Sequence, residues 1–129
     1  MKKILLLLLV VFALISCKKT EFVPEGPTDV RMRNVTNSLF ADVVIKIKDE
    51  EISFGEIGAN SLSEYHRFKT AFPKAYISAE INGETISTGP VDFTYLNYFG
   101  QVKLTYEVLI ENNLLKINNA ILDSHLDLK

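Results

Sequence analysis

Few residues of this chain could carry out chemistry, and the most suggestive group lies near its carboxyl end. Asp123, His125 and Asp127 alternate along the sequence, so an extended strand would place all three side chains on one face. Imidazole and carboxylate groups in that arrangement are ligands for a divalent metal. The alternative is a solvated polar tail with a single histidine, because chain termini are often poorly ordered. We favour the polar tail and predict no metal site and no cofactor.

Glu64 and His66 alternate in the same way and could form a catalytic dyad, although an exposed or hydrogen-bonded pair is the simpler interpretation. Ser61 and Ser63 lack the surrounding glycines that expose a nucleophilic serine. The acidic triplet 49–51 lacks the glycine and the further oxygen ligands of a calcium loop, and is more typical of a solvated hairpin tip. We therefore predict that the protein is not an enzyme.

Four aromatic residues lie close together between a proline and a glycine near the middle of the second half. They are Phe93, Tyr95, Tyr98 and Phe99. If they project from a loop, they could stack on a glycan ring or anchor a protein partner, because phenylalanine and tyrosine supply large contact areas. The alternative, which we favour, is a loop folded over the open end of the core. These residues form the best candidate binding loop in the sequence.

The only cysteine, Cys17, ends a segment with its own organisation. Lys2 and Lys3 precede an unbroken apolar run of twelve residues, Ile4 to Ile15, which is the layout of a secretory signal peptide. A helix that spans a membrane needs about 20 such residues, so the run predicts a cleaved signal. A single cysteine also excludes an intramolecular disulfide.

The four residues Leu14 to Cys17 (LISC), which end at the cysteine, resemble the lipobox of bacterial lipoproteins. In that family the cysteine thiol is joined to diacylglycerol and a dedicated peptidase then cuts before it. An ordinary signal peptide has small residues one and three positions before the cut, and Leu14 does not fit that pattern. The resemblance implies a signal peptide over residues 1–16 and a lipidated Cys17. Pro24, Gly26 and Pro27 disfavour regular structure, so residues 17–28, which begin with the lipidated cysteine, are predicted to form a flexible tether.

From Asp29 onward, short runs alternate between apolar and polar residues, which is typical of half-buried strands. Asn82 and Gly83 separate two of these runs and form a strong hairpin signal, because a type I′ turn needs positive φ at both residues. Residues 118–128 fit either a short helix or an edge strand. The pattern predicts an all-β domain over residues 29–129, either a small barrel or, as we favour, an antiparallel β-sandwich of about seven strands, immunoglobulin-like or transthyretin-like.

A set of short patterns lies along residues 30–110. They are Arg33-Asn34, Gly58 followed by Ser61 and Tyr65, Asp92-Phe93 after Pro90, and Leu104-Thr105-Tyr106. With these patterns the domain resembles the small β-sandwich lipoproteins of Bacteroidetes-type bacteria, most of which have no assigned activity. The resemblance implies the fold and a membrane-anchored position in the envelope, but no function. Our first hypothesis for the function is a non-enzymatic accessory or binding module. A lipoprotein that binds a glycan or small hydrophobe, and a subunit assembled by strand addition through residues 114–128 or the first strand, are the alternatives.

The net charge of the chain, and the charges just after Cys17, help to predict its partners and its location. The chain has 14 basic and 16 acidic residues, and loss of Lys2 and Lys3 with the signal peptide would change its formal net charge from −2 to −4. A mildly acidic domain without a basic cluster argues against a nucleic-acid partner. Surface-exported lipoproteins of the resembled family carry an acidic run after the cysteine, whereas Lys18 and Lys19 follow it here. The resemblance thus implies an outer-membrane protein that faces the periplasm, with the cell surface as the alternative.

Overall fold

The alternating segments fold into eight strands, which a computed structural model of the protein describes within residues 24–126. The signal peptide, Cys17 and the predicted tether as far as residue 23 lie outside the described residues. The end of the predicted tether is part of the domain, because Gln101 donates to the Gly26 carbonyl and Thr28 begins the first strand. The strands are β1 (Thr28–Asn34), β2 (Phe40–Ile47), β3 (Glu50–Ile57), β4 (His66–Phe68), β5 (Tyr76–Ile81), β6 (Glu84–Ser87), β7 (Val102–Glu111) and β8 (Leu114–His125). They form two four-stranded sheets packed as a sandwich, which confirms the predicted all-β class with eight strands rather than about seven.

The first sheet has the strand order β4-β1-β7-β8, and the second has the order β3-β2-β5-β6. Among the described strands, neighbours are antiparallel except for β1 and β7, which run parallel with Asp29 opposite Lys103. A parallel pair needs a long connection, and here the chain passes through the whole second sheet between the two strands. The sandwich therefore departs at this one pair from the wholly antiparallel arrangement predicted from the alternation.

Tight turns join three of the strand pairs. Asn82 and Gly83 have φ values of 53° and 84° and connect Ile81 to Glu84, which confirms the predicted hairpin. Two asparagines with φ values of 54° and 62° form the equivalent turn between β7 and β8. Asparagine and glycine tolerate the left-handed region, and turns of this twist match that of the flanking strands.

The core lies between the sheets and is built from the inward-facing residues of each strand. Met32, Phe40, Phe68 and Tyr106 are among its largest fully buried side chains. Full burial of such a side chain contributes about 1.5–3 kcal/mol relative to exposure. The Tyr106 hydroxyl donates a hydrogen bond to the carbonyl of Phe72, which satisfies its only buried polar atom. Burial raises the pKa of Tyr106 well above its ordinary value, and the hydrogen bond opposes that shift only in part.

Asn34 is a buried polar residue at the end of β1. Its amide nitrogen donates to the carbonyl oxygens of Ser38 at 2.7 Å and Gly58 at 3.1 Å, and its side-chain oxygen accepts from the amide of Thr36 at 3.0 Å. The side chain thereby satisfies the backbone of two loops that leave the sheets at this point. A structural role of this kind accounts for Asn34 and Gly58 in the short patterns found along the sequence.

Candidate functional site

The polar group near the carboxyl end is divided by a bulge in β8. Leu122 lies opposite Leu104 and Ser124 opposite Lys103, so Asp123 is the extra residue. The strand continues to His125, and Asp127 lies outside the described residues. Residues 118–125 are therefore an edge strand, which was one of the two structures that their sequence fitted.

Asp123 belongs to a network on the outer face of the first sheet. Its carboxylate accepts hydrogen bonds from the hydroxyls of Thr105 and Tyr65, the latter at 2.7 Å, and lies 3.7 Å from a guanidinium nitrogen of Arg31. The Arg31 Nε donates to the Thr105 hydroxyl at 2.9 Å. We call Arg31, Tyr65, Thr105 and Asp123 the outer-face network. Its members bind one another and join three strands to the β3–β4 connection.

Tyr65 is held between charges in this network. The guanidinium carbon of Arg31 lies 4.7 Å from its ring centre and the Lys103 ammonium lies 5.2 Å from it. Burial raises the pKa of Tyr65, the hydrogen bond to Asp123 raises it further, and the charge of Arg31 opposes both. A tyrosine held in its neutral form as a donor to a carboxylate stabilises structure and offers no base for catalysis.

Ser63 and His66, two of the other residues that could carry out chemistry, are each engaged in structural contacts. The His66 ring packs against Phe54 with 4.3 Å between ring centres. The Ser63 hydroxyl donates to the carbonyl of Glu64 at 2.8 Å and accepts from the amide of Met32 at 2.9 Å. Within residues 24–126, no hydrogen bond or ion pair joins Glu64 to His66, and no group of three or more His, Cys, Asp or Glu side chains is arranged to hold a metal ion.

The acidic triplet 49–51 overlaps the tip of the hairpin between β2 and β3: its first residue is in the turn and the other two begin β3. Lys48 and Asp49 form the two-residue turn, with Lys48 at a φ of 55°, and Glu50 begins β3 opposite Ile47. The Glu50 carboxylate accepts a hydrogen bond from the backbone amide of Lys69 at 2.8 Å. One of the three acids therefore attaches the hairpin to the β4–β5 connection.

We call residues 90–100 the aromatic loop, and the structure divides its four candidate residues into two pairs. Phe93 and Phe99 are half-buried and pack against the core. The Phe93 ring lies 5.1 Å from that of Phe72, and the Phe99 amide donates to the carbonyl of Ala71 at 2.9 Å. Leu96 packs against the same core, so every third residue of the loop faces inward. Leu96 was not among the predicted binding residues, although its spacing of three residues from Phe93 and from Phe99 marks it.

Tyr95 and Tyr98 form the second pair and face outward. Tyr95 is 92% exposed and Tyr98 is 45% exposed, and neither hydroxyl has a hydrogen-bond partner within residues 24–126. Asp92 fixes the turn that presents them, because its carboxylate accepts from the Thr94 hydroxyl at 2.6 Å and from the Thr94 amide at 3.0 Å. These bonds, the hydroxyl first, lower the pKa of Asp92.

Open grooves flank the aromatic loop. A groove of about 440 Å³ lies between Pro90, Leu96 and Lys116. Two others are lined by Phe93. One has a volume of about 530 Å³ and lies between the outer face of the second sheet, at Lys46, Glu51 and Tyr76, and the segment from Pro90 to Phe93. The other has a volume of about 410 Å³, and its lining includes Glu25, Lys48, Leu96 and Tyr98. Both combine aromatic or apolar surface with a few charged side chains, which suits binding of a small ligand.

The start of the domain is fastened to the end of the aromatic loop. The Thr28 hydroxyl donates to the carbonyl of Gly100 at 2.6 Å, and the Gln101 side chain donates to the carbonyl of Gly26 at 3.0 Å. A Cβ atom at Gly26 would lie 2.0 Å from the carbonyl oxygen of Lys69, so only glycine fits there. These contacts place the point where the chain enters the sandwich beside Tyr98.

The protein is a two-sheet β-sandwich. Residues 24–126 contain no helix that is long and apolar enough to cross a membrane. A protein from Eubacterium rectale, solved by NMR, is similar in fold, with a TM-score of 0.50 and 13% sequence identity over 81% of this chain and 96% of that chain. At that identity the likeness concerns the fold alone. The chain matches no family model and no curated protein sequence.

Proposed function

We propose that this protein is a lipoprotein of the bacterial envelope, anchored through an acylated Cys17, whose β-sandwich acts as a non-enzymatic accessory or binding module. The observation that carries the proposal is the order of the first residues: two lysines, a twelve-residue apolar run and LISC ending at Cys17. A run of that length is too short for a stable span, whereas two or three acyl chains on one cysteine would hold a small domain firmly.

The position of the sandwich supports the same proposal. β1 begins at Thr28, so only a short segment separates Cys17 from the first strand. The predicted lipid would therefore keep the domain close to the membrane surface. Lys18 and Lys19 after the cysteine favour the periplasmic face of the outer membrane over the cell surface.

Metabolic labelling with an alkyne-tagged palmitate tests the anchor. We expect the wild-type chain to incorporate the label and to fractionate with membranes, and the Cys17→Ala variant to remain unlabelled and uncleaved. Ser16→Gly, which keeps a small residue before the cysteine, serves as the matched control and should be labelled normally. Equal labelling of wild type and Cys17→Ala would overturn the proposal.

A second candidate, a lipoprotein that binds a glycan or a small hydrophobe, is favoured by the 530 Å³ groove. Tyr76 offers an aromatic face there, and Lys46 and Glu51 offer a donor and an acceptor beside it. Addition of short cell-wall glycans should shift NMR resonances of residues lining this groove. The shifts should vanish in Tyr76→Ala and persist in Tyr95→Ala, and their absence from the wild type would exclude the glycan form of this candidate.

A subunit assembled by strand addition is the least favoured candidate. β1 lies between β4 and β7, and β8 pairs along its length with β7 of the same chain. Neither segment is available as a donor strand while the sandwich keeps this pairing. The outer edge of β8 carries a lysine and an aspartate and is distorted by two bulges, features that protect an edge from further pairing.

A further inference from the structure

We propose that Tyr95 and Tyr98 form a membrane-contacting surface that rests in the headgroup layer of the bilayer that holds the Cys17 anchor. This inference rests on the proposed anchor and goes beyond it, because it assigns the aromatic loop a lipid surface as its partner and gives the domain a fixed orientation. The loop is the surface of the sandwich beside which the chain enters the domain.

Chain length limits which part of the domain can approach the membrane. Seven residues lead from Cys17 to Pro24, and a chain spans at most about 3.6 Å per residue, which gives a reach of about 25 Å. Glu25, the next residue, lines the same groove as Tyr98. By contrast, Leu39 follows the far end of β1, which lies roughly 20 Å along the strand from Thr28 at 3.3 Å per residue. The predicted flexible tether of seven residues would average only about 15 Å from end to end. The far side could therefore touch the bilayer only with the tether almost fully extended, and the side with Tyr95 and Tyr98 lies nearest to it.

The exposed side chains on this side suit the boundary between hydrocarbon and water. A tyrosine has an apolar ring and one polar tip, which is why tyrosine concentrates at membrane interfaces. The hydroxyls of Tyr95 and Tyr98 have no partner within the described residues and are available to lipid headgroups. Phe93 and Phe99 beneath them pack on the core, so the tyrosines are presented from a supported loop.

The charges around the loop favour zwitterionic headgroups. Exposed lysines and exposed acids nearly balance beside the grooves of this side: Lys48, Lys69, Lys74 and Lys116 against Glu25, Asp49 and Asp92, with Lys116 also paired to Glu111 at 2.9 Å. A surface without excess positive charge gains little from anionic lipid. Contact through the tyrosines should consequently persist at high salt and in vesicles of phosphatidylethanolamine and phosphatidylcholine.

A tryptophan reporter tests the contact, since the chain contains no tryptophan of its own. The full lipidated chain carrying Tyr95→Trp is reconstituted into vesicles with or without brominated acyl chains. We expect a blue-shifted emission and quenching by about a half, because an aromatic ring at the interface lies within reach of the bromines. Leu39→Trp is the matched control: Leu39 is 48% exposed on the far side, and a reporter there should not be quenched.

The outcomes separate this inference from the anchor itself. If the chain does not float with the vesicles at all, the anchor proposal fails and the inference fails with it. If the chain floats but the two reporters are quenched equally, the anchor stands and the membrane-contacting surface is excluded. If the position 95 reporter responds to glycans and not to brominated lipid, the surface binds a glycan and the inference is likewise overturned. Addition of Tyr98→Ala to the Tyr95→Trp chain should reduce the quenching.

Discussion

Tyr65 and Tyr95 lie on different surfaces of the sandwich and differ in how their side chains are used. Tyr65 donates to Asp123 and is flanked by Arg31 and Lys103, so its ring and its hydroxyl are both engaged. Tyr95 is 92% exposed and has no hydroxyl partner within residues 24–126. Asp123 belonged to a possible metal-ligand pattern in the sequence, and in the structure its carboxylate is occupied within the outer-face network. The exposed tyrosines of the aromatic loop make no such contacts within the described residues.

This difference teaches where to look for function in a small sandwich. Polar side chains that satisfy one another have little left to offer a ligand, because each new contact would break an existing one. Large exposed aromatic side chains on a supported loop carry no such cost. Removing side-chain groups from each region tests the difference between the outer-face network and the aromatic loop.

The largest effect is expected from Gly26→Ala, which disturbs the joint between the domain start and the aromatic loop. The new Cβ would lie 2.0 Å from the carbonyl oxygen of Lys69, so the backbone must move. We expect a loss of about 3 kcal/mol in the free energy of unfolding, measured with urea. Gly83→Ala is the control: nothing lies near its Cβ, and its positive φ should cost only about 1 kcal/mol. Equal losses would contradict the close contact at Gly26.

Within the aromatic loop, Phe93→Ala should destabilise the protein and Tyr95→Ala should not. Phe93 is half-buried against Phe72, and its loss should cost about 2 kcal/mol, less than for a fully buried phenylalanine. Tyr95→Ala removes an exposed side chain and should change stability by less than about 0.5 kcal/mol. Urea unfolding of both variants decides the matter, and equal effects would refute the division of the loop into a buried and an exposed pair.

In the outer-face network, Asp123→Ala should cost about 1.5 kcal/mol, because it leaves two hydroxyl donors without their acceptor. Tyr65→Phe should cost about 1 kcal/mol for the loss of one donor. The double variant should cost less than the sum of the two, since both changes remove the same hydrogen bond. Strict additivity in urea unfolding would show that Tyr65 and Asp123 do not interact.

The smallest effect concerns alkaline pH. The pKa of Tyr65 is raised in the folded protein, by burial first and then by Asp123, so its neutral form is favoured by folding. Its contribution to stability is complete below the unfolded pKa of about 10 and is lost as pH rises through the higher folded value. Between pH 9 and 11, the free energy of unfolding should fall less steeply for Tyr65→Phe than for the wild type. Tyr95→Phe is the control and should follow the wild type.

Much of the fold could be predicted from the sequence, because period-two alternation and turn residues act locally. Asn82 and Gly83 fixed one hairpin, and the run from Val102 to Ile110 became the long strand β7. The parallel pairing of β1 with β7 could not be predicted, because the alternation of residues along one strand carries no information about which strand lies beside it.

The candidate site was only partly predictable. The aromatic loop was found from its composition, but its division required knowing that Phe93, Leu96 and Phe99 meet the core. The alternation from Asp123 to His125 was misleading, because a bulge that depends on pairing with β7 separates these residues. The outer-face network joins residues as far apart in sequence as Arg31 and Asp123, and no local pattern reveals such a contact.

Mass spectrometry of the mature amino terminus tests the central claim most directly. The protein, extracted from membranes in detergent, should begin at Cys17, with diacylglycerol on its sulfur and an additional acyl group on its amine. Removal of the lipid by alkaline hydrolysis should shift the mass by whole acyl chains. A mature chain that begins elsewhere, or that carries an unmodified Cys17 thiol, would contradict both the anchor and the orientation that we infer from it.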